Sequence, residues 1–343
     1  MNTQVDSGAS ANKPRVFLAV PVPDDLLPQI EAVCEPVKPQ SGRIPTKEEM
    51  AEVLPTVEGV MGTVRSQFTR ELLDSCPNLR VISNFGVGFD NIDVPAASER
   101  GVLVCNTPRV LDGAVADLTI AMLLCSARDV LPGDQYVRSG EWKKSGPPPL
   151  AMEVRGKTLG LIGMGRIGEV VARTAKAFNL RVVYYKPTRA AGLEQEGLVE
   201  YLERDEVFAQ SDFISVHTAL NDETRKSIGA REFGLMKPTA TFINTSRGGV
   251  VDEAALIDAL QRKAIRGAAL DVMENEPLDP DSPLCSMSNV LLQPHVGSAT
   301  VETRRAMMEL TVRNLVAAMK GEVPEAMVNP DVRERATAGV GKG

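Results

Sequence analysis

The sequence predicts an α/β protein built from two doubly wound units. Short β-rich runs alternate with helical patterns along the whole chain, and these runs fall into two series separated by a Gly-Pro-Pro-Pro loop at 146–149. The runs of the second series are apolar without alternation, as expected for strands covered on both faces of a parallel sheet. A length of 343 residues also points to about two domains.

Taken in order, residues 1–14 are small and polar, and read as a disordered leader without the basic start and apolar stretch of a signal peptide. Arg15–Val20, Val57–Val64, Arg80–Asn84 and Val102–Cys105 read as the strands of the first unit. Val110–Arg128 is apolar on most faces and reads as a buried helix connecting the two units. Thr158–Ile162, Arg181–Tyr185, Asp212–His217, Thr241–Asn244, Gly267–Asp271 and Val290–Leu292 form the second series. Ala299–Met319 is again helical and can return to the first unit, which would make that unit discontinuous. Pro324 and Pro330 close the ordered part, and residues 331–343 read as an unstructured tail. The expected division is 15–108 with 297–330 for one domain and 109–296 for the other.

Composition narrows the function classes. The chain is 43% hydrophobic and 24% charged, ordinary for a globular protein, with a formal charge of −7. That charge argues against nucleic acid or an anionic membrane as partner, and no apolar run reaches transmembrane length. Five scattered cysteines and two histidines offer no metal-ligand spacing, so no metal is expected. The odd count and scatter suit a reducing cytoplasm.

The sharpest motif is Gly163-Met164-Gly165-Arg166-Ile167-Gly168. It follows the strand pattern TLGLI directly and opens the helical pattern EVVARTAKAF, the context that separates a dinucleotide fingerprint from a chance glycine cluster. Gly163 permits the tight turn, Gly165 lets backbone approach a pyrophosphate, and Gly168 lets helix and strand pack closely. The helix start, with Arg166 and Ile167, then favours the anion. At the end of the next strand, where a carboxylate would select NAD, the chain has Lys186, followed by Thr188 and Arg189. These would attract and hydrogen-bond a 2′-phosphate, so NADP(H) is the expected cofactor, with NAD(H) tolerated.

Three later segments place polar groups at or just after strand ends, where ligands of open α/β sheets bind. They are Asn244-Thr245-Ser246-Arg247, Asp271-Val-Met-Glu-Asn-Glu276 and Gln293-Pro-His295. Arg247 can anchor a carboxylate and polarise a keto oxygen. His295 paired with Glu276 can supply a proton near neutral pH. His217 is the rival histidine, expected to line the cofactor pocket or simply to pack.

These residues, together with SNFGVGFDNID, ERGVLVCNTP, AVADLTIAMLL, INTSRGGVVDEAAL, ALDVMENEP and QPHVGSAT, resemble the D-2-hydroxy acid dehydrogenase family, and its glyoxylate/hydroxypyruvate reductase branch in particular. The resemblance runs from about Arg15 to Pro330. It implies two Rossmann-like domains, a nucleotide domain inserted into a discontinuous substrate domain, and a catalytic triad of Arg247, Glu276 and His295. It also implies that the backbone N–H groups of Val87 and Gly88 hold the substrate carboxylate, with Gly86 and Gly88 exposing amides as an anion nest requires. Asp271 matches the position that contacts the nicotinamide carboxamide, and Thr119, Thr245 and Ser246 match cofactor-lining positions. The family dimerises through its nucleotide domain. Arg138–Trp142 matches a loop that crosses that dimer, so Trp142 either borders the partner's active site or is a buried structural residue. Lys186 departs from the acidic residue of NAD-preferring members, and Ala219 stands where many members have Pro.

The expected activity is NADPH-dependent reduction of a small 2-keto acid to a D-2-hydroxy acid. The rival readings are phosphoglycerate or formate dehydrogenase, and, from another class, a dinucleotide-sensing corepressor built on the same scaffold.

Overall fold

The computed structural model describes residues 13–39 and 44–333, and its contacts divide the chain into two compact units, 1–110 with 301–343 and 111–300. The first unit is a five-stranded parallel sheet of β1 (Arg15–Leu18), β2 (Glu35–Val37), β3 (Gly59–Thr63), β4 (Val81–Phe85) and β5 (Leu103–Cys105), in the order β2-β1-β3-β4-β5. Successive residues of a strand face opposite sides, and here both sides are buried. In β1, Phe17 joins Met50, Leu54 and Leu73 on one face, while Val16 and Leu18 join Met308, Val312 and Leu315 on the other. Two cores on one sheet require both helical layers. The helix Val301–Met319 supplies the second, and Ser83 Oγ donates to its Thr311 carbonyl at 2.8 Å. The C-terminal helix therefore belongs to the first unit.

The second unit is a seven-stranded parallel sheet: β6 (Thr158–Ile162), β7 (Arg181–Tyr185), β8 (Glu200–Tyr201), β9 (Phe213–Val216), β10 (Thr241–Asn244), β11 (Gly267–Leu270) and β12 (Val290–Leu292). Its order is β12-β11-β10-β9-β6-β7-β8. Counted from its own first strand this is the 3-2-1-4-5-6 arrangement of dinucleotide-binding sheets with one more strand at the edge, and the order reverses between β6 and β9. The helix Asp112–Ala127 lies on one face, where Ala116, Ile120 and Leu123 pack with Leu159, Leu161, Ile243 and Ala269. Being nearly all apolar, it belongs in a core rather than on a surface.

Several expectations need correction. Sequence reading missed β2 and β8, both edge strands and short. Pro36 disguises β2, which pairs only with β1, and β8 has two residues. The connecting helix begins at Asp112 rather than Val110, and the last helix at Val301 rather than Ala299. The ends are ordered further than expected. Pro14 accepts the N–H of Glu35, and residues 331–333 form a helical turn in which Val332 is buried and Arg333 donates to the Gly321 carbonyl. The remainder of the two expected tails, 1–12 and 334–343, lies outside the described residues. Among the described residues, no helix is long and apolar enough to cross a membrane, and no group of three or more His, Cys, Asp or Glu side chains could hold a metal ion.

Candidate active site

The crevice at the β6/β9 reversal is shaped by the glycine motif. Gly163 follows β6 with φ +98°, and a Cβ there would fall 2.7 Å from the His217 carbonyl and 2.8 Å from the Thr218 nitrogen. Only glycine meets both the left-handed backbone and the close approach. The His217 N–H in turn donates to the Ile162 carbonyl at 2.7 Å, which ties the ends of β6 and β9 together. Gly165 is the N-cap of the helix Arg166–Ala177, which has no side-chain cap, and nothing lies within 4 Å of where its Cβ would be. An uncapped helix start with open space before it offers N–H donors to an anion. These residues fit a dinucleotide pyrophosphate. Arg166 sits at the same turn, its Nε donating to Asp112 at 3.2 Å, and Ile167 is partly buried beside it.

At the end of β7, Lys186 is partly buried while Thr188 and Arg189 are exposed. Arg189 is not a free loop cation. Its guanidinium lies 4.6 Å from the centre of the Tyr201 ring and pairs with Glu194, which also accepts from the buried Tyr184 hydroxyl at 2.7 Å. The hydrogen bonds from Arg189 and Tyr184 hold the Glu194 carboxyl below its ordinary range. A corner built this way is preorganised rather than solvated and loose. His217, at the opposite side of the reversal, has its Nε2 2.9 Å from Ser215 Oγ, and burial lowers its pKa to about 4. It is neutral at neutral pH and unsuited to be a proton donor.

Arg247, Glu276 and His295 follow β10, β11 and β12, which are neighbours in the sheet. His295 Nδ1 and Glu276 Oε2 are 2.7 Å apart, with 28% and 24% of the two side chains exposed. The other Glu276 oxygen accepts the Met273 N–H at 3.2 Å. Burial pushes the Glu276 carboxyl up, but the hydrogen bond and charge of His295, the Met273 amide and the charge of Arg247 outweigh it and leave the carboxyl below its ordinary value. Arg247 is brought near by backbone contact. A Cβ on Gly248 would lie 1.9 Å from the Met273 carbonyl, so the turn after Arg247 presses directly on the segment that leads to Glu276.

The first unit carries its own candidate loop after β4. There the chain bends at 86–87, Asn84 Nδ2 donates to the Gly88 carbonyl at 2.9 Å, and Asn106 Nδ2 donates to the Val87 carbonyl at 2.8 Å. Among the described residues, nothing accepts the N–H of Val87 or of Gly88.

Comparison with known proteins decides the family. Residues 120–297 match the model of the D-isomer specific 2-hydroxyacid dehydrogenase NAD-binding domain. The glyoxylate reductase of Thermococcus litoralis is 44% identical over 325 residues, covering 93% of this chain and 98% of the relative. The chain belongs to the D-isomer specific 2-hydroxyacid dehydrogenase family. It is similar to the glyoxylate reductase of Pyrococcus furiosus as well, at 43% identity over 93% of this chain and 96% of the relative. A solved NADPH-dependent glyoxylate/hydroxypyruvate reductase from Sinorhizobium meliloti, in complex with NADP and malonate, superposes with a TM-score of 0.81 at 35% identity, over 92% of this chain and 97% of that one. A glyoxylate reductase from Paecilomyes thermophila gives a TM-score of 0.85 at 31% identity, over 94% and 100%. As a 2-hydroxyacid dehydrogenase the chain is an oxidoreductase that uses a nicotinamide dinucleotide and interconverts 2-keto and 2-hydroxy acids.

Within this dehydrogenase the structure sorts the expected cofactor-lining residues. Thr119 is fully buried, and its hydroxyl is spent on the Val115 carbonyl and on Thr245 Oγ1, at 2.8 and 2.9 Å. It thus supports Thr245 from behind. Ser246 turns its hydroxyl and its N–H onto Asn244 Oδ1, at 2.8 and 3.0 Å. Asp271 is 1% exposed, and its two carboxylate oxygens accept the N–H groups of Val296 and Gly297, at 2.7 and 2.8 Å. Its carbonyl accepts the His295 N–H at 2.8 Å. Those three bonds hold His295 in a left-handed conformation, φ +57°, uncommon outside glycine.

The roles of three asparagines, Asn84, Asn106 and Asn244, escaped sequence reasoning. Asn244, 1% exposed, closes the Arg247 turn by donating to the Arg247 carbonyl at 3.0 Å, and Asn106 does comparable work in the first unit. The only signal in the sequence was an asparagine at or just after a strand end, a position where its amide readily bonds nearby backbone. Trp142 is 59% exposed on the short helix Glu141–Ser145, so the buried structural role is excluded for this chain.

Proposed function

We propose that the chain is an NADPH-preferring reductase of small 2-keto acids of the glyoxylate and hydroxypyruvate type, yielding D-2-hydroxy acids. The observation that carries this reading is the 2.7 Å pair of His295 Nδ1 and Glu276 Oε2 on the loops beside Arg247. The carboxylate accepts the Nδ1 proton and fixes the ring, which leaves Nε2 to carry the proton delivered to the keto oxygen. Arg247 presents a forked cation that binds a carboxylate and stabilises negative charge developing on the oxygen. The Val87 and Gly88 amides of the first unit take the substrate carboxylate. The dinucleotide, when bound, supplies the hydride. In the oxidative direction neutral His295 accepts the proton at Nε2.

The preference for NADPH rests on Lys186 at the end of β7 and on the stacked Arg189, both positive where a 2′-phosphate would lie. The similar Sinorhizobium meliloti enzyme is named NADPH-dependent and was solved with NADP. A homodimer is also part of this reading, because Val130, Leu131, Val137, Trp142 and Leu150 leave a run of large apolar side chains exposed between residues 130 and 150.

Initial rates with NADPH and with NADH, across glyoxylate, hydroxypyruvate, pyruvate and an aromatic 2-keto acid, test the proposal. The expected result is highest kcat/KM for the two smallest hydroxylated or unsubstituted acids with NADPH. Equal or better rates with NADH would overturn the cofactor assignment, and a preference for the aromatic acid would overturn the substrate class.

A further inference from the structure

Accepting the reading that the 86–88 loop binds the substrate carboxylate, we propose that Asn106 is the positioning residue that aims its two amides. A trans peptide unit is planar, and its C=O and N–H point in opposite directions. The Gly86 carbonyl accepts the Thr107 N–H at 3.0 Å, and the Val87 carbonyl accepts Asn106 Nδ2 at 2.8 Å. Two consecutive carbonyls are thus drawn to the same side, toward residues 106 and 107. The N–H of Val87 shares a peptide plane with the first carbonyl, and the N–H of Gly88 shares one with the second. Both must therefore point the other way.

In an extended strand, consecutive N–H groups alternate sides. Here the chain bends at 86–87, and two adjacent amides converge, which is the geometry of an anion nest. The Thr107 bond is made by backbone and survives most substitutions. Asn106 is the side chain on which the second peptide plane depends.

Asn106 is itself held firmly. It is 8% exposed, and its carbonyl accepts Asn314 Nδ2 at 3.1 Å. Asn314 is fully buried in the helix Val301–Met319, and its Oδ1 accepts the Ala326 N–H at 3.2 Å. The nest is built from three segments distant in sequence, and the C-terminal helix fixes the residue that fixes the loop. The Gly88 carbonyl, held by Asn84, closes the far side at 2.9 Å.

The test compares wild type with Asn106→Ala and Asn106→Asp in the full-length enzyme. Alanine removes the donor, and aspartate replaces it with a group that repels the Val87 carbonyl. Losing one orienting hydrogen bond corresponds to about a tenfold rise in KM for the keto acid, with kcat within about twofold and dinucleotide affinity unchanged. Aspartate should be the worse of the two. Unchanged KM in a folded variant, or a parallel loss of dinucleotide affinity, would overturn the proposal. A second readout starts from wild type. In 15N-labelled enzyme with assigned backbone resonances, the Gly88 amide of wild type should shift when oxalate, a non-reducible carboxylate, is added with NADP present. No shift would overturn both the carboxylate reading and this inference. A shift that persists unchanged in Asn106→Ala, with KM unaltered, would leave the nest standing and overturn the role of Asn106 alone.

Discussion

The backbone N–H of Asp271 donates to the carbonyl of Asn244 at 2.9 Å, which links the residue that holds the His295 loop to the one that holds the Arg247 turn. Asn244 ends β10 and Asp271 directly follows the adjacent β11, so the sheet itself sets their separation. Each turns its side chain onto backbone beyond its own strand. Two candidate site residues borne on loops are thereby referred to one rigid edge, which is what a precise site on loops requires.

Replacing Asp271 tests that arrangement. Asparagine offers one acceptor and puts an NH2 group against an amide that needs one, so Asp271→Asn leaves the N–H of Val296 or Gly297 unsatisfied. The expected loss is about 1–3 kcal/mol of stability in denaturant titration, with a fall in kcat larger than any change in dinucleotide affinity. A variant as stable and active as wild type would show that the carboxylate does not hold the loop.

Glu276→Gln keeps a hydrogen-bond acceptor near His295 but removes the charge. The expected result is a drop in kcat of about 10²-fold, with the fold intact by circular dichroism. The pH profile of wild type carries a second check. The Glu276 carboxyl lies below its ordinary value of 4.5, so its contribution is present above that value and is lost only as pH falls further through the lowered one. An acid limb below pH 4.5 that persists in Glu276→Gln would assign that limb to a group other than Glu276.

Cofactor selectivity should hinge on Lys186. Lys186→Asp places a carboxylate where the 2′-phosphate would lie and lowers the ratio of kcat/KM for NADPH over NADH by about 10²-fold. The ratio is the quantity to measure, because it cancels losses common to both cofactors. An unchanged ratio would move the determinant to Arg189 and its Glu194 partner.

His217 should mark itself in acid stability. Its pKa, lowered by burial to about 4 from 6.5, lies below that of the unfolded chain, so the unfolded state takes up the proton first as pH falls. The stability that depends on neutral His217 is complete above pH 6.5 and declines between 6.5 and about 4. His217→Gln should flatten that stretch of the curve in denaturant midpoints measured at pH 7 and pH 5. An equal decline in the variant would place the acid sensitivity elsewhere.

Much of this was legible in the sequence, and the reasons are physical. Strands buried on two faces stand out as apolar runs, so Thr158–Ile162, Arg181–Tyr185 and Thr241–Asn244 have the bounds expected of them. The glycine motif was readable because a left-handed turn and a close approach admit no other residue. Arginine, glutamate and histidine at successive strand ends announce chemistry by type. What stayed hidden was work done by common polar residues through the backbone. Asn244, Asn106 and Asn84 differ in no visible way from surface asparagines until their partners, set by the fold, are known. The contacts of Arg189 were hidden too, because its neighbours in space, Tyr201 and Glu194, come from beyond the loop. The edge strands β2 and β8 have too few buried residues to leave a pattern.

The central claim is that His295, aligned by Glu276 beside Arg247, delivers the proton in reduction of a 2-keto acid. Single-turnover reduction of glyoxylate by NADPH, measured for wild type and His295→Gln, tests it most directly. The account predicts a rate at least about 10³-fold lower in the variant, with NADPH bound as tightly as in wild type. A variant that turns over within a few-fold of wild type would contradict it.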